Sequence, residues 1–192
     1  MIVAWVFLLL GYLLVGVFIA VERSLRKTEG AKTFQRGSFD RGSTFLIGAA
    51  FGAGLLLPLI LDLLGVGLVA INPLWDTLAV LLMVAGIGLR VWAATSLGRF
   101  YTRTLLTTDD QKVVSTGPYA WVRHPGYLGD LLLWSGFGVL SGNVVILLLF
   151  PVMFTAVYLY RIKVEERMLV QTLGVEYSQY RKRTRKLIPF VY

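Results

Sequence analysis

Five apolar runs divide the chain, at residues 2–21, 43–64, 73–95, 126–140 and 143–160. At about 1.5 Å per residue, the first three are each long enough to cross a hydrocarbon core of roughly 30 Å as helices. The last two are shorter, and only the Ser141–Asn143 connection separates them, which predicts a tight helical hairpin. The first run has neither a basic n-region nor an A-x-A cleavage site, so it is expected to be a retained span and not a signal peptide.

The polar intervals sort by charge. Residues 22–42 carry six Lys/Arg, residues 96–124 four and residues 161–192 eight, whereas 65–72 and 141–143 carry none. Every second connection is basic, the alternation that the positive-inside rule requires. The pattern predicts an all-α integral membrane protein of about five transmembrane helices. Its N-terminus would lie outside, and its C-terminus would be cytoplasmic. Residues 1–96 would supply the first three spans, and residues 97–192 would hold any chemistry.

Composition narrows the picture further. The 192 residues are 56% hydrophobic with a mean hydropathy of +0.70, more apolar surface than a soluble domain of that length can hide. Without cysteine, disulfides, thiolate metal sites and a Cys nucleophile are excluded. One histidine and few carboxylates within the apolar runs argue against a metal centre. The net charge of +8 flanks the spans instead of forming one stripe, so anionic lipid headgroups account for it better than nucleic acid.

The candidate chemistry gathers at the basic face. In "WVRHPGYLGD", residues 121–130, His124 precedes Pro125, which favours an extended residue followed by a first helical turn. The N–H groups of Gly126, Tyr127 and Leu128 would then form a small anion site beside Arg123 and His124. Gly126 and Gly129 would let a ligand approach the backbone, or would serve helix packing. Asp130 falls inside the span, where a carboxylate is costly, and Arg90 is its candidate partner.

Downstream, "YRIKVEERMLVQTLGVEY", residues 160–177, places Glu166 in an apolar stripe with Ile162, Leu169 and Leu173. Glu165 points more sideways, Arg161 would reach the headgroup region, and Gly174 would cap the helix. Between these motifs, "STGPY" predicts a turn and "DDQKVVSTG" a short extended hairpin-like element. The loop 97–122 is long for a connection between membrane helices, as functional loops often are. An anchor or assembly subunit would have little use for these groups together.

On these residues the chain resembles the isoprenylcysteine carboxyl methyltransferase family, related to the phospholipid methyltransferases. The resemblance covers about residues 97–190, through "GPYAWVRHPGYLG" and "RIKVEERMLVQTLGVEYSQYRKRTRKLIPF". It implies an integral membrane enzyme using S-adenosylmethionine, with a cytoplasmic cofactor-binding region and a lipid or isoprenoid substrate entering from the bilayer. The cofactor residues it implies are Tyr119, Arg123, His124, Pro125, Tyr127, Glu165 and Glu166, with Arg161 and Glu166 at the active site. Arg161 would hold an acceptor carboxylate. Glu166 would bind the cofactor amine or ribose, or fix Arg161. The stretch "GYLGDLLLWSG" is also similar to membrane sterol reductases, which gives an NADPH-dependent lipid reductase as the alternative.

Overall fold

The computed structural model describes residues 2–25, 40–69, 72–98 and 112–188. Each apolar run is a helix: α1 Ile2–Ser24, α2 Ser43–Leu63, α3 Pro73–Leu97, α4 Pro125–Leu140 and α5 Val144–Arg183. A 3-10 turn at Gly117–Ala120 precedes α4. Four of the helices, α1, α2, α3 and α5, are long and apolar enough to cross a membrane. The 16 residues of α4 reach only about 24 Å, so it crosses part of the bilayer as the short arm of a hairpin with α5. Leu9, Leu13, Leu81 and Val152 stand exposed on the outer faces, where lipid would meet them. The chain is an integral membrane protein.

Local signals set the helix starts. Asn72 accepts from the N–H of Leu74, ahead of Pro73 at the first helical position. Asn143 accepts from Val145 and Ile146 N–H groups at the start of α5. The two uncharged connections meet at one end of the bundle, where Val144 N–H donates to Gly67 O at 2.8 Å and Asn143 Nδ2 to Val66 O at 2.7 Å. Among the described residues the basic groups gather at the other end, so the alternation along the chain becomes a polarity across the molecule.

Two expectations need correction. The apolar run 143–160 and the helical stretch read over 160–177 are not separate: α5 runs for 40 residues, well beyond its apolar part. Gly174, at φ 55° and ψ −121°, ends the straight segment as a cap would, yet the chain re-enters helix and continues to Arg183. The extended hairpin expected over residues 109–117 is not found: residues 112–115 have no regular structure, and 109–111 lie outside the described residues. A single parallel bridge joins Val122 to Arg185 instead.

Helices α3 and α4 lie backbone to backbone. A Cβ on Gly86 would fall 2.5 Å from the Gly129 carbonyl oxygen, and one on Gly129 would fall 2.6 Å from that of Gly86. Small residues drive such contacts in lipid, where helix association gains nothing from expelling water. Gly129 therefore serves packing and not ligand approach. Gly126 does too, because a Cβ there would meet Arg90 Nη1 at 2.7 Å.

The core is aromatic. Trp134 stacks on Phe154 with centroids 4.6 Å apart, and Phe154, Tyr158, Tyr127 and His124 follow in successive stacked contacts. This column runs from the bundle interior to the polar end.

Candidate active site

The bridge between Val122 and Arg185 fixes the Arg-His-Pro segment. Arg123 N–H donates to Arg185 O at 2.8 Å, His124 N–H to Lys186 O at 3.2 Å, and Arg185 N–H to Trp121 O at 3.0 Å. So held, the segment stays extended until Pro125 opens α4. Tyr119 sits buried in the 3-10 turn, with its carbonyl accepting from Tyr180 OH at 2.7 Å.

Both basic side chains turn towards α5. Arg123 Nε donates to Glu166 Oε1 at 2.7 Å, and His124 Nε2 lies 3.4 Å from the same oxygen. Arg123 Nη1 also donates to the carbonyls of Arg181 and Thr184, so it ties the tail to the site. The anion site expected at the start of α4 thus lacks one of its donors. Leu128 N–H donates to His124 O inside the helix, and Arg123 and His124 face Glu166. The phasing that put Glu166 on the inner stripe agrees with its burial beside Ile162.

Tyr127 joins the two glutamates' surroundings to Arg161. Its hydroxyl donates to Glu165 Oε2 at 2.5 Å and accepts from Arg161 Nε at 3.2 Å. Glu165 Oε1 in turn lies 4.0 Å from His124 Nδ1. Arg161 does not reach the headgroups as expected. It is 2% exposed, and its Nη1 donates to Asp40 Oδ1 at 2.9 Å, Ser43 Oγ at 2.7 Å and Thr44 Oγ1 at 3.2 Å. A guanidinium at that depth is tolerable only among such acceptors.

A second polar cluster lies beneath. Arg90 forks onto Glu22, with Nε–Oε2 at 3.2 Å and Nη2–Oε1 at 3.1 Å, and its Nη1 lies 3.4 Å from Asp130 Oδ2. Tyr158 OH donates to the same Asp130 oxygen at 2.8 Å. The expected Arg90–Asp130 pair is present, with Glu22 added. Spacing along the chain held no signal for Glu22 or Asp40, because each meets its arginine only through the packing of separate helices.

Between α5 and the returning tail opens a cavity of about 610 Å3, whose walls include Leu159, Lys163, Glu166, Val170, Arg181 and Lys186. Its volume is in the range of small-molecule sites. Leu159 and Val170 give it apolar lining, and Lys163, Arg167, Arg181 and Lys186 give it basic lining around Glu166.

Residues 78–171 match the model of the Isoprenylcysteine carboxyl methyltransferase (ICMT) family. Over that stretch the chain is similar to the ICMT family. Among curated proteins, a Schizosaccharomyces pombe protein-S-isoprenylcysteine O-methyltransferase is 34% identical over 119 residues, 61% of this chain and 50% of the relative. The Saccharomyces cerevisiae protein of that name is 32% identical over 120 residues, 62% of this chain and 50% of the relative. The chain thus spans about half the length of these ICMT relatives.

A solved structure of the eukaryotic intramembrane Ras methyltransferase ICMT aligns with a TM-score of 0.61 at 22% identity, covering 76% of this chain and 52% of that one. This supports the ICMT fold. The reductase alternative gains no support from these matches. The ICMT match includes Arg123, His124, Tyr127, Arg161, Glu165 and Glu166 but ends short of the tail, and it begins after α2.

Proposed function

We propose that this chain is an S-adenosylmethionine-dependent membrane methyltransferase acting on a lipidic carboxylate, of the isoprenylcysteine kind for which its relatives are named. The observation that carries this reading is Glu166, held between Arg123 and His124 on the wall of a cavity with apolar and basic lining, within the stretch that matches the ICMT model. The donor set suits a zwitterionic cofactor. Glu166 can take an amine or a ribose hydroxyl, Lys163, Arg181 and Lys186 can take a carboxylate, and Leu159 and Val170 offer apolar walls. In this reading Tyr119, Arg123, His124, Pro125 and Tyr127, with Glu165 on α5, complete the cofactor site; His124 reaches Glu166 and Tyr127 reaches Glu165.

Bound S-adenosylmethionine would supply an electrophilic methyl group on a sulfonium, whose sulfur leaves with the C–S electron pair as a neutral thioether. The acceptor carboxylate is already ionised near neutral pH, so the site needs no strong base. The protein's task is to orient, desolvate and balance charge. In this reading Arg161, beside the Tyr127 hydroxyl, is the cation set against the acceptor's charge, and Glu166 works from the cavity wall. Lipid would enter beside Leu159. The site shares the end of the bundle with the basic connections, which the positive-inside rule assigns to the cytoplasm, and this leaves the N-terminus outside. In this reading residues 1–96 support the catalytic region 97–192.

The test is calorimetric titration of the detergent-purified chain with S-adenosylhomocysteine. The expected outcome is saturable binding that Glu166→Gln weakens by roughly tenfold or more, about 1.4 kcal/mol, as befits loss of a charge-assisted contact. A folded wild-type protein that does not bind it would sink the reading.

A further inference from the structure

We propose that Asp40, just ahead of α2, is a positioning residue for this site, acting through Arg161 on Tyr127 and Glu165. The proposal deepens the functional reading above, on which only its ligand-binding arm rests. Asp40 precedes the family match by many residues, so no motif marks it.

Arg161 and Glu165 are four residues apart on α5, the spacing at which opposite charges on a helix pair directly. Here the Tyr127 hydroxyl stands between them instead. Something must draw the guanidinium away from Glu165, and Asp40 does so. Its Oδ1 accepts from Arg161 Nη1 at 2.9 Å, and also from Ser43 Oγ at 2.9 Å, Thr44 Oγ1 at 2.7 Å and Thr44 N–H at 3.1 Å. Ser43 and Thr44 take the same Nη1 from the side. The turn that aims this group is unusual, with Arg41 at φ 44° and Gly42 at φ 79°, both left-handed.

The consequence runs one way. A tyrosine hydroxyl has a single proton. Because it accepts from Arg161 Nε, that proton is directed to Glu165 Oε2. The Tyr127 ring is clamped by stacking on Tyr158 and His124, so only the hydroxyl's partners can change. Glu165 is thereby held with its other oxygen towards His124. Without the Asp40 charge, Arg161 swings to Glu165, the hydroxyl loses its donor, and the surroundings of His124 change.

The chain's sole histidine makes this readable, since selectively labelled protein gives one ring resonance, that of His124. Asp40→Asn is expected to displace that resonance at constant pH, as is Tyr127→Phe, which keeps the ring stack. The double variant is expected to coincide with Tyr127→Phe alone, because one path carries both effects. An unmoved resonance in Asp40→Asn, or displacements that add in the double variant, would overturn the proposal.

Melting temperature and helical content check each variant. If Asp40→Asn does not fold, Ser43→Ala, which removes one acceptor of the same Nη1, is expected to move the resonance in the same direction, and failure to do so also overturns it. In the ligand arm, Asp40→Asn weakens S-adenosylhomocysteine binding by roughly tenfold, and unchanged affinity counts against a role at the site. Absence of binding by the wild type defeats the functional reading alone, and the His124 resonance then decides this one.

Discussion

Asp40 and Arg161 show what a charge needs at the edge of a membrane. Both are 2% exposed, and each is acceptable only because hydroxyls and the opposite charge surround it. Burial pushes the Asp40 carboxyl up, but hydrogen bonds from Thr44 and Ser43 and the Arg161 charge outweigh it and hold the group below its ordinary value of 3.8. A lowered folded value means that the stabilisation is fully present above the unfolded value. It is lost as pH falls through the unfolded and then the folded value. The melting-temperature gap between wild type and Asp40→Asn should therefore be constant near neutrality and shrink below about pH 4. A gap unchanged to pH 3 would show that the carboxylate charge contributes nothing.

Among elements, the α3–α4 contact governs where the site's Arg-His-Pro segment stands. Gly86 and Gly129 meet carbonyl to Cα, and Gly136 packs equally close, its Cβ position 2.7 Å from the Ala79 carbonyl. Backbone cannot retreat as a flexible side chain can. Gly129→Leu should therefore force the helices apart and destabilise the bundle by about 1–3 kcal/mol, the usual cost of overpacking. Thermal melting in detergent measures this, and a melting temperature within error of wild type would contradict the close contact. Gly16, with nothing within 4 Å of its Cβ position, provides the control, and Gly16→Leu there should leave the melting temperature near that of the wild type.

The element scale also shows what was legible in the chain. The starts of α3, α4 and α5 follow from Asn72-Pro73, His124-Pro125 and Asn143, each a local signal. Helix beyond residue 160 was legible from the phasing of Glu166, but its continuity with the span was not, because the change from apolar to amphipathic pattern looks like a boundary. The helix continues from its apolar into its amphipathic part, and the residue with non-helical backbone inside it is Gly174.

For the molecule as a whole, the N-terminal spans brace the ICMT stretch through charge. Glu22 on α1 forks onto Arg90 of α3, which reaches Asp130 of α4, which accepts from Tyr158 of α5. Four helices meet at one polar knot. Removing Arg90 leaves the Glu22 and Asp130 carboxylates without their shared cation, typically a loss of 3–5 kcal/mol. Arg90→Met should thus lower the melting temperature markedly, while Arg90→Met with Glu22→Gln recovers part of the loss. Equal stability of Arg90→Met and wild type would show that the knot is not needed to hold α1 in place.

The sequence by itself determined the spans, their alternation of charged and bare connections, the short hairpin, and the candidate residues on α4 and α5. These depend on local pattern, on periodicity and on the preferences of proline, glycine and asparagine, which act within a few positions. Tertiary structure alone decided the partners. Asp40 meets Arg161 across 121 positions, and Glu22 meets Arg90 across 68. It also turned Arg123 and His124 from the start of α4 to Glu166, because the returning tail pins the backbone between them and the helix. A carboxylate's position in the chain records that it must be neutralised. The choice of which arginine does so is made by the packing of the helices that carry them.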